Sequence, residues 1–262
     1  MIEEIKYFLI GFIQGLTEFF PISSSGHIEL YKHITNIVDK DPLLLVITVH
    51  FATALSTMVI YRHKIKVIIC SIIKTRDPDS LSFILKLIIS TIPIVFVYIL
   101  IGDSIEVLFQ DSLYLVATML LFTAVLLITS SWVKNPKNKI SYGHALLMGI
   151  AQSIAILPGV SRSGSTISIA LFCKIERERA AEFSFLMGLA PIIGGTIIKI
   201  LNNSSEKNLE TLEIQALAIA FFSAFFSGLF ACKYMITIVQ RNNLRYFGYY
   251  CLIVGIGSII VL

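Results

Sequence analysis

The sequence predicts an all-α polytopic membrane protein with six transmembrane helices plus two re-entrant helix pairs in an inverted-topology repeat. Three observations carry this expectation. The 262 residues are 56% hydrophobic and only 15% charged, where a soluble domain carries about 25% charged residues, and the mean hydropathy is +0.82. Runs such as 113–133 and 214–232 contain no Asp, Glu, Lys or Arg and are long enough to cross a bilayer, which takes about 20 residues. Two further apolar segments are each broken by a proline and a Ser/Gly-rich run. The net charge of +4 is spread over short loops. It therefore reports orientation and not a nucleic-acid partner.

In chain order, the first interrupted segment covers about 5–34, with Pro21 in its middle. Spans follow at about 43–61, 82–101 and 113–133. The second interrupted segment covers about 142–172, with Pro158 in its middle, and spans follow at about 183–201, 214–233 and 245–262. Proline removes a backbone donor and clashes with the preceding turn. Irregular backbone survives at membrane depth only inside protein or beside a wet cavity. Both interrupted segments are therefore expected to enter, turn and leave on one side.

Loop charge supports this. Basic loops hold Arg62, Lys64, Lys66, Lys74 and Arg76, then Lys134, Lys137 and Lys139, then Lys233, Arg241 and Arg245. Acidic loops hold Asp103, Glu106 and Asp111, then Glu206, Glu210 and Glu213 against Lys207. The signs alternate as six crossings require, with the basic loops cytoplasmic. The chain then forms a single membrane domain over 1–262, made of a first repeat of about 1–140 and a second of about 141–262. GFIQGLTEFFPISSSG (11–26) aligns without a gap on GIAQSIAILPGVSRSG (149–164). Gly11 matches Gly149, Gln14 matches Gln152, Ser23 matches Ser161, Ser25 matches Ser163 and Gly26 matches Gly164. Broken helices in inverted repeats bring their polar tips together near the midplane.

The first motif offers a metal ligand, a nucleophile and a base. Gln14 and Glu18 are spaced to share one helix face, and their oxygens suit Mg²⁺ or Ca²⁺. A carboxylate at membrane depth costs about 2.5–3.5 kcal/mol, which favours function over accident. Ser24 precedes His27 by three residues, so one helical turn is expected to bring the imidazole to that hydroxyl, as in an activated nucleophile. The second motif, PGVSRSGSTIS, places Arg162 in a run with no other Asp, Glu, Lys or Arg from Tyr142 to Cys173. Arg162, Ser161, Ser163 and Thr166, with a helix N-terminus, suit a phosphate. No GxxxxGK[ST] loop is present, which argues against nucleotide hydrolysis. Together these groups suit hydrolysis of a phosphate ester or anhydride on a lipid tail. A transporter using the same Arg162 cradle is the competing class, but a carrier needs no nucleophile.

Other polar residues take plainer roles. The four cysteines, Cys70, Cys173, Cys232 and Cys251, form no CxxC pair and read as packing residues. His33, His50, His63 and His144 lack comparable neighbours, and His50 reads as a hydrogen-bonded span residue. Glu3 and Glu4 stand where a signal peptide would be basic.

QGLTEFFPISSSGH (14–27) and PGVSRSGST (158–166) resemble the paired motifs of the bacterial undecaprenyl-pyrophosphate phosphatases of the bacitracin-resistance type. EFSFLMGLAPIIGG (182–195) is also similar to that family. The resemblance covers essentially the whole chain. It implies a multi-pass inner-membrane enzyme open toward the periplasm, which converts undecaprenyl pyrophosphate to the monophosphate for cell-wall synthesis and confers bacitracin resistance. It also implies a divalent cation and membrane lipid as partners, with a homodimer left open. By motif match, Glu18, Ser24, His27, Ser161, Arg162 and Thr166 carry the site. Gln14 stands where many relatives have Glu, which leaves Glu18 as the main ligand. Ser24 attacking with His27 as its base, and His27 itself or a water it activates attacking, are the two mechanisms this leaves open.

Overall fold

The computed structural model describes residues 2–35, 42–75, 77–109, 113–134, 136–202 and 211–261. Of the acidic residues expected in loops, Asp111, Glu206 and Glu210 lie outside these residues, whereas Asp103 and Glu106 fall within the helix Pro78–Phe109 and Glu213 within the helix Thr211–Gln240. Eleven helices are described: α1 (Ile2–Phe19), α2 (Ser24–Thr35), α3 (Pro42–Ile60), α4 (Arg62–Thr75), α5 (Pro78–Phe109), α6 (Leu113–Ser130), α7 (Tyr142–Ile154), α8 (Arg162–Phe172), α9 (Arg177–Asn202), α10 (Thr211–Gln240) and α11 (Leu244–Val261). Among the described residues five helices are long and apolar enough to cross a membrane. A sixth span results if Leu44–Ile60 and Arg62–Thr75, bent by 71°, count as one. The chain is a multi-pass helical membrane protein. Each of the six expected spans has its helix, and both expected interruptions are helix–break–helix units, α1/α2 and α7/α8.

The basic stretch 62–75 reads as a loop from its charge, yet it forms α4. Lys64 pairs with Glu182 of α9 at 3.2 Å. Apolar Val67, Ile69 and Ile73 stay outward, being 49–75% exposed. Basic and apolar side chains on one exposed helix are the composition of a segment lying in a headgroup layer.

Small residues set the closest helix contacts, as expected where lipid offers no hydrophobic drive for association. A Cβ on Gly11 of α1 would run into the Ala220 carbonyl of α10. A Cβ on Gly149 of α7 would run into the Ser90 carbonyl of α5. The two glycines matched in sequence thus make matched contacts, each with the second long span of the opposite half. Gly248 and Gly255 of α11 lie in the same way against the Ala124 and Ala117 carbonyls of α6.

Both ends of each broken unit lie close together. Asn138, just before α7, donates from Nδ2 to the Cys173 carbonyl at 3.0 Å and from its amide to Lys174 at 2.8 Å, just after α8. Tyr7 of α1 and Tyr31 of α2 pack against one buried cluster formed by Ile10, Leu45, Val49 and Ala220. The larger core, including Leu120, Leu127, Met148, Ile167 and Phe183, fills the space between α6, α7, α8 and α9.

Candidate active site

The first break joins α1 to α2 through Phe20–Ser23. The Ser23 φ is +71°, a left-handed conformation that costs a non-glycine residue about 1–3 kcal/mol. Its side chain repays part of that, because Ser23 Oγ accepts from the Gly26 amide at 3.3 Å and caps α2. The second break joins α7 to α8 through residues 155–161. There the left-handed residue is Gly159, φ +94°, pressed against the Val116 carbonyl. Ser161 Oγ accepts from the Gly164 amide at 3.1 Å and caps α8. Ser23 Oγ lies 3.4 Å from Ser25 Oγ, and Ser161 Oγ lies 3.3 Å from Ser163 Oγ. The aligned serines and glycines therefore build the same cap twice.

The two breaks touch. A Cβ added to Gly26 would stand 3.2 Å from the Gly159 Cα, and one added to Gly164 would stand 3.2 Å from the Pro21 Cβ. This contact closes the distance between Glu18, at the end of α1, and Arg162, at the start of α8. Arg162 Nη2 donates to Glu18 Oε1, and their side chains are only 20% and 9% exposed. Glu18 Oε2 accepts from Ser24 Oγ at 2.9 Å and from Gln14 Nε2 at 3.1 Å. One carboxylate thus gathers Gln14 and Ser24 from the first unit and Arg162 from the second. Buried as it is, such a carboxylate needs those partners, since an unpaired buried charge is costly.

Three contributors were not legible as site residues. His50 of α3 sits 3.9 Å from Glu18 Oε2 through Nε2, while its Nδ1 donates to the Val46 carbonyl at 2.9 Å. The expected span hydrogen bond is present, but the other ring nitrogen faces the site. Gly188 of α9 leaves the room in which the Arg162 guanidinium lies; any Cβ there would overlap Nη1. Tyr250 of α11 meets His27 Nε2 at 2.8 Å. All three arrive by helix packing, and no local spacing in the sequence announces them.

Two expectations change. Ser24 does not hydrogen-bond to His27. Its hydroxyl goes to Glu18, while His27 Nδ1 bonds the Ser23 carbonyl at 2.8 Å and Nε2 faces Tyr250. The one-turn spacing overlooked the carbonyl of the left-handed Ser23, which competes for the ring. Nor do the hydroxyls of the second motif stand open around Arg162. Ser161, Ser163 and Thr166 are at most 2% exposed. Thr166 Oγ1 is 2.6 Å from Ser184 Oγ and 2.8 Å from the Arg162 carbonyl. These groups brace the start of α8, and Arg162 is what it projects.

A cation has one carboxylate here. Among the described residues no three His, Cys, Asp or Glu side chains converge. Gln14 Oε1 is buried with no hydrogen-bond partner, so an acceptor is left over beside Glu18. Glu18, Gln14 and Ser24 supply oxygens of the hard type that Mg²⁺ and Ca²⁺ take, and Mg²⁺ commonly completes its shell with substrate phosphate and water. The donor set fits a cation shared with a phosphate ligand.

The bacitracin resistance protein BacA family profile matches residues 7–257. The chain belongs to the BacA family. Its relatives include the undecaprenyl-diphosphatase of Christiangramia forsetii, 42% identical over 254 residues covering 96% of each chain. Another is the undecaprenyl-diphosphatase of Bacteroides thetaiotaomicron, 38% identical over 258 residues covering 98% of each. A more distant one from Oceanobacillus iheyensis, also named undecaprenyl-diphosphatase, is 34% identical over 267 residues, covering 98% of this chain and 96% of its own. As a BacA-family chain it carries its polar cluster where the two breaks meet.

Proposed function

We infer that this BacA-family chain is an undecaprenyl-diphosphatase, a hydrolase that converts undecaprenyl pyrophosphate to undecaprenyl phosphate and phosphate. By returning the lipid carrier to cell-wall synthesis it confers bacitracin resistance. The observation that carries the chemistry is the Glu18 carboxylate, which holds Arg162 across the two breaks and Ser24 beside it. An anion grip and a hydroxyl share one membrane-embedded point, which a lipid anhydride needs and a simple carrier does not.

The residues divide the work as follows. Arg162 has donors beyond the one given to Glu18, and these bind the pyrophosphate oxygens. Ser161, Ser163 and Thr166 act on substrate through the start of α8, which they hold in place. Ser24 Oγ forms the bond to the terminal phosphorus as the P–O anhydride bond breaks, and its proton passes to Glu18 Oε2 along the 2.9 Å bond already made. Undecaprenyl phosphate leaves. Water then cleaves the phosphoserine: its oxygen bonds to phosphorus as the Ser24 Oγ–P bond breaks, Glu18 returns its proton to Ser24 Oγ, and the water's proton passes to His27 Nε2, which exchanges its hydrogen bond from Tyr250 Oη for one from that water. A divalent cation bound by Glu18 and Gln14 would neutralise phosphoryl oxygen charge.

The same reading extends to topology. We propose that α1/α2 and α7/α8 are re-entrant pairs in inverted repeats of about 1–140 and 141–262, in the inner membrane, with the site open to the periplasm. The repeated Ser cap, the paired Gly11 and Gly149 contacts and the adjacent ends of each unit support it. The test of function is phosphate release from undecaprenyl pyrophosphate by the purified protein in detergent with Mg²⁺ or Ca²⁺. Release that depends on Ser24, with a phosphoserine trapped at that position, supports the route. A phosphohistidine at His27 overturns the serine route, and no release at all favours transport.

A further inference from the structure

We infer that Tyr250 is a positioning residue for His27, holding the imidazole in one tautomer and one orientation. The contact stands on geometry alone; its catalytic consequence rests on the phosphatase reading. His27 Nδ1 lies 2.8 Å from the Ser23 carbonyl oxygen. A carbonyl only accepts, so Nδ1 carries the proton and Nε2 the lone pair. That lone pair meets Tyr250 Oη at 2.8 Å, so the phenol donates. The two rings are nearly parallel, 13° apart with centroids 5.5 Å apart. Each imidazole nitrogen has one partner of fixed polarity, and the two bonds together set both the tautomer and the tilt of the ring.

The placement of Tyr250 is part of a larger contact. Residues 247, 250 and 251 lie on one face of α11. The Phe247 ring is 5.3 Å from Phe20, and Cys251 Sγ approaches the Pro21 carbonyl at 4.0 Å. Phe20, Pro21 and His27 all belong to the first break or the turn after it. α11 is therefore the wall on which the nucleophile-bearing turn is seated, and α6 fixes that wall through Gly248 and Gly255. Phe247 and Cys251 account for packing. Tyr250 keeps 42% of its surface exposed, so burial gains little from it, and its hydroxyl is directed at the one imidazole in the turn.

Tyr250→Phe separates the roles, because it keeps the ring and removes only Oη. Tyr249→Phe, at the neighbouring ring that is 47% exposed, is the control. Two readouts on the full chain in detergent decide the matter. The first is kcat and KM for phosphate release from undecaprenyl pyrophosphate. The second is the rate at which diethyl pyrocarbonate acylates His27, followed by mass spectrometry. In Tyr250→Phe kcat falls about three- to tenfold, the effect of one net hydrogen bond, with KM within about twofold. His27 is acylated several times faster because Nε2 is uncovered. Tyr249→Phe behaves as wild type in both. Wild-type kcat in Tyr250→Phe overturns the positioning role, and unchanged acylation overturns the contact. If the wild-type protein itself releases no phosphate, the phosphatase reading fails, and the acylation rate alone still decides whether Tyr250 covers His27.

Discussion

The two breaks share a frame and differ in what they do with it. Each ends on a serine that caps the next helix through the amide of a glycine three residues on. Within that frame, position by position, Ser24 stands where the second unit has Arg162, and Glu18 stands where it has Ile156. The first break carries the carboxylate and the hydroxyl on a strained turn, whereas the second carries a cation on a well-braced helix start. The repeated serines and glycines fix architecture, and the residues that differ between the units supply chemistry, which decides whether a repeated neighbour joins in. Gln14 and Gln152 show this most directly. Gln14 donates to Glu18; Gln152, with Ile156 four residues on, is buried with neither side-chain atom partnered.

The largest effect that sharpens this contrast is expected at Ser24. Ser24→Ala lowers kcat by at least about a thousandfold and abolishes phosphoenzyme, since the nucleophile is lost while Arg162 still binds. A Ser24→Ala enzyme within tenfold of wild type breaks the assignment of chemistry to the first unit. Next come the two glutamines. Gln14→Leu reduces activity about tenfold or more and weakens cation dependence, because an oxygen ligand and a donor to Glu18 are both removed. Gln152→Leu leaves phosphate release unchanged and raises thermal stability by about 1 kcal/mol, since it replaces a buried unsatisfied amide. Equal loss of activity at both positions would show that the second glutamine also serves the site.

The smallest effect is expected at the caps. Ser23→Ala and Ser161→Ala each cost about 1 kcal/mol of stability in thermal unfolding. If only one matters, the two breaks do not share the frame.

Much of this fold was legible because lipid imposes a strong grammar. Six apolar runs each became a helix, five of them long and apolar enough to cross a membrane as single helices among the described residues, and a proline followed by Ser/Gly marked each break. α4 escaped because its lysines and Arg62 disguise a helix as a loop when only hydropathy is read. Glu18, Ser24 and Arg162 stood out in the sequence because polar groups in an apolar run are conspicuous. Their mutual contact was expected from the gapless alignment of 11–26 on 149–164. The partner of Ser24 was misjudged, since spacing along a helix cannot foresee a free carbonyl at Ser23. His50, Gly188 and Tyr250 were out of reach for a different reason. His50 and Tyr250 come from helices that are ordinary in sequence, Gly188 comes from the family-like stretch 182–195 that pointed to no particular role, and only the packing of α3, α9 and α11 around the breaks gives each one a role.

The claim that two breaks act as one site is tested most directly by a double-mutant cycle across them. Glu18→Gln, Arg162→Gln and the pair together are compared in kcat/KM for phosphate release from undecaprenyl pyrophosphate. Each single change leaves a membrane-embedded charge unpaired and removes a shared part of the machinery, so each is expected to cost about a thousandfold. The double variant is expected to be no worse than the poorer single one, the non-additivity of groups that work as a unit. Losses that multiply across the cycle would contradict the account, because Glu18 and Arg162 would then be acting independently.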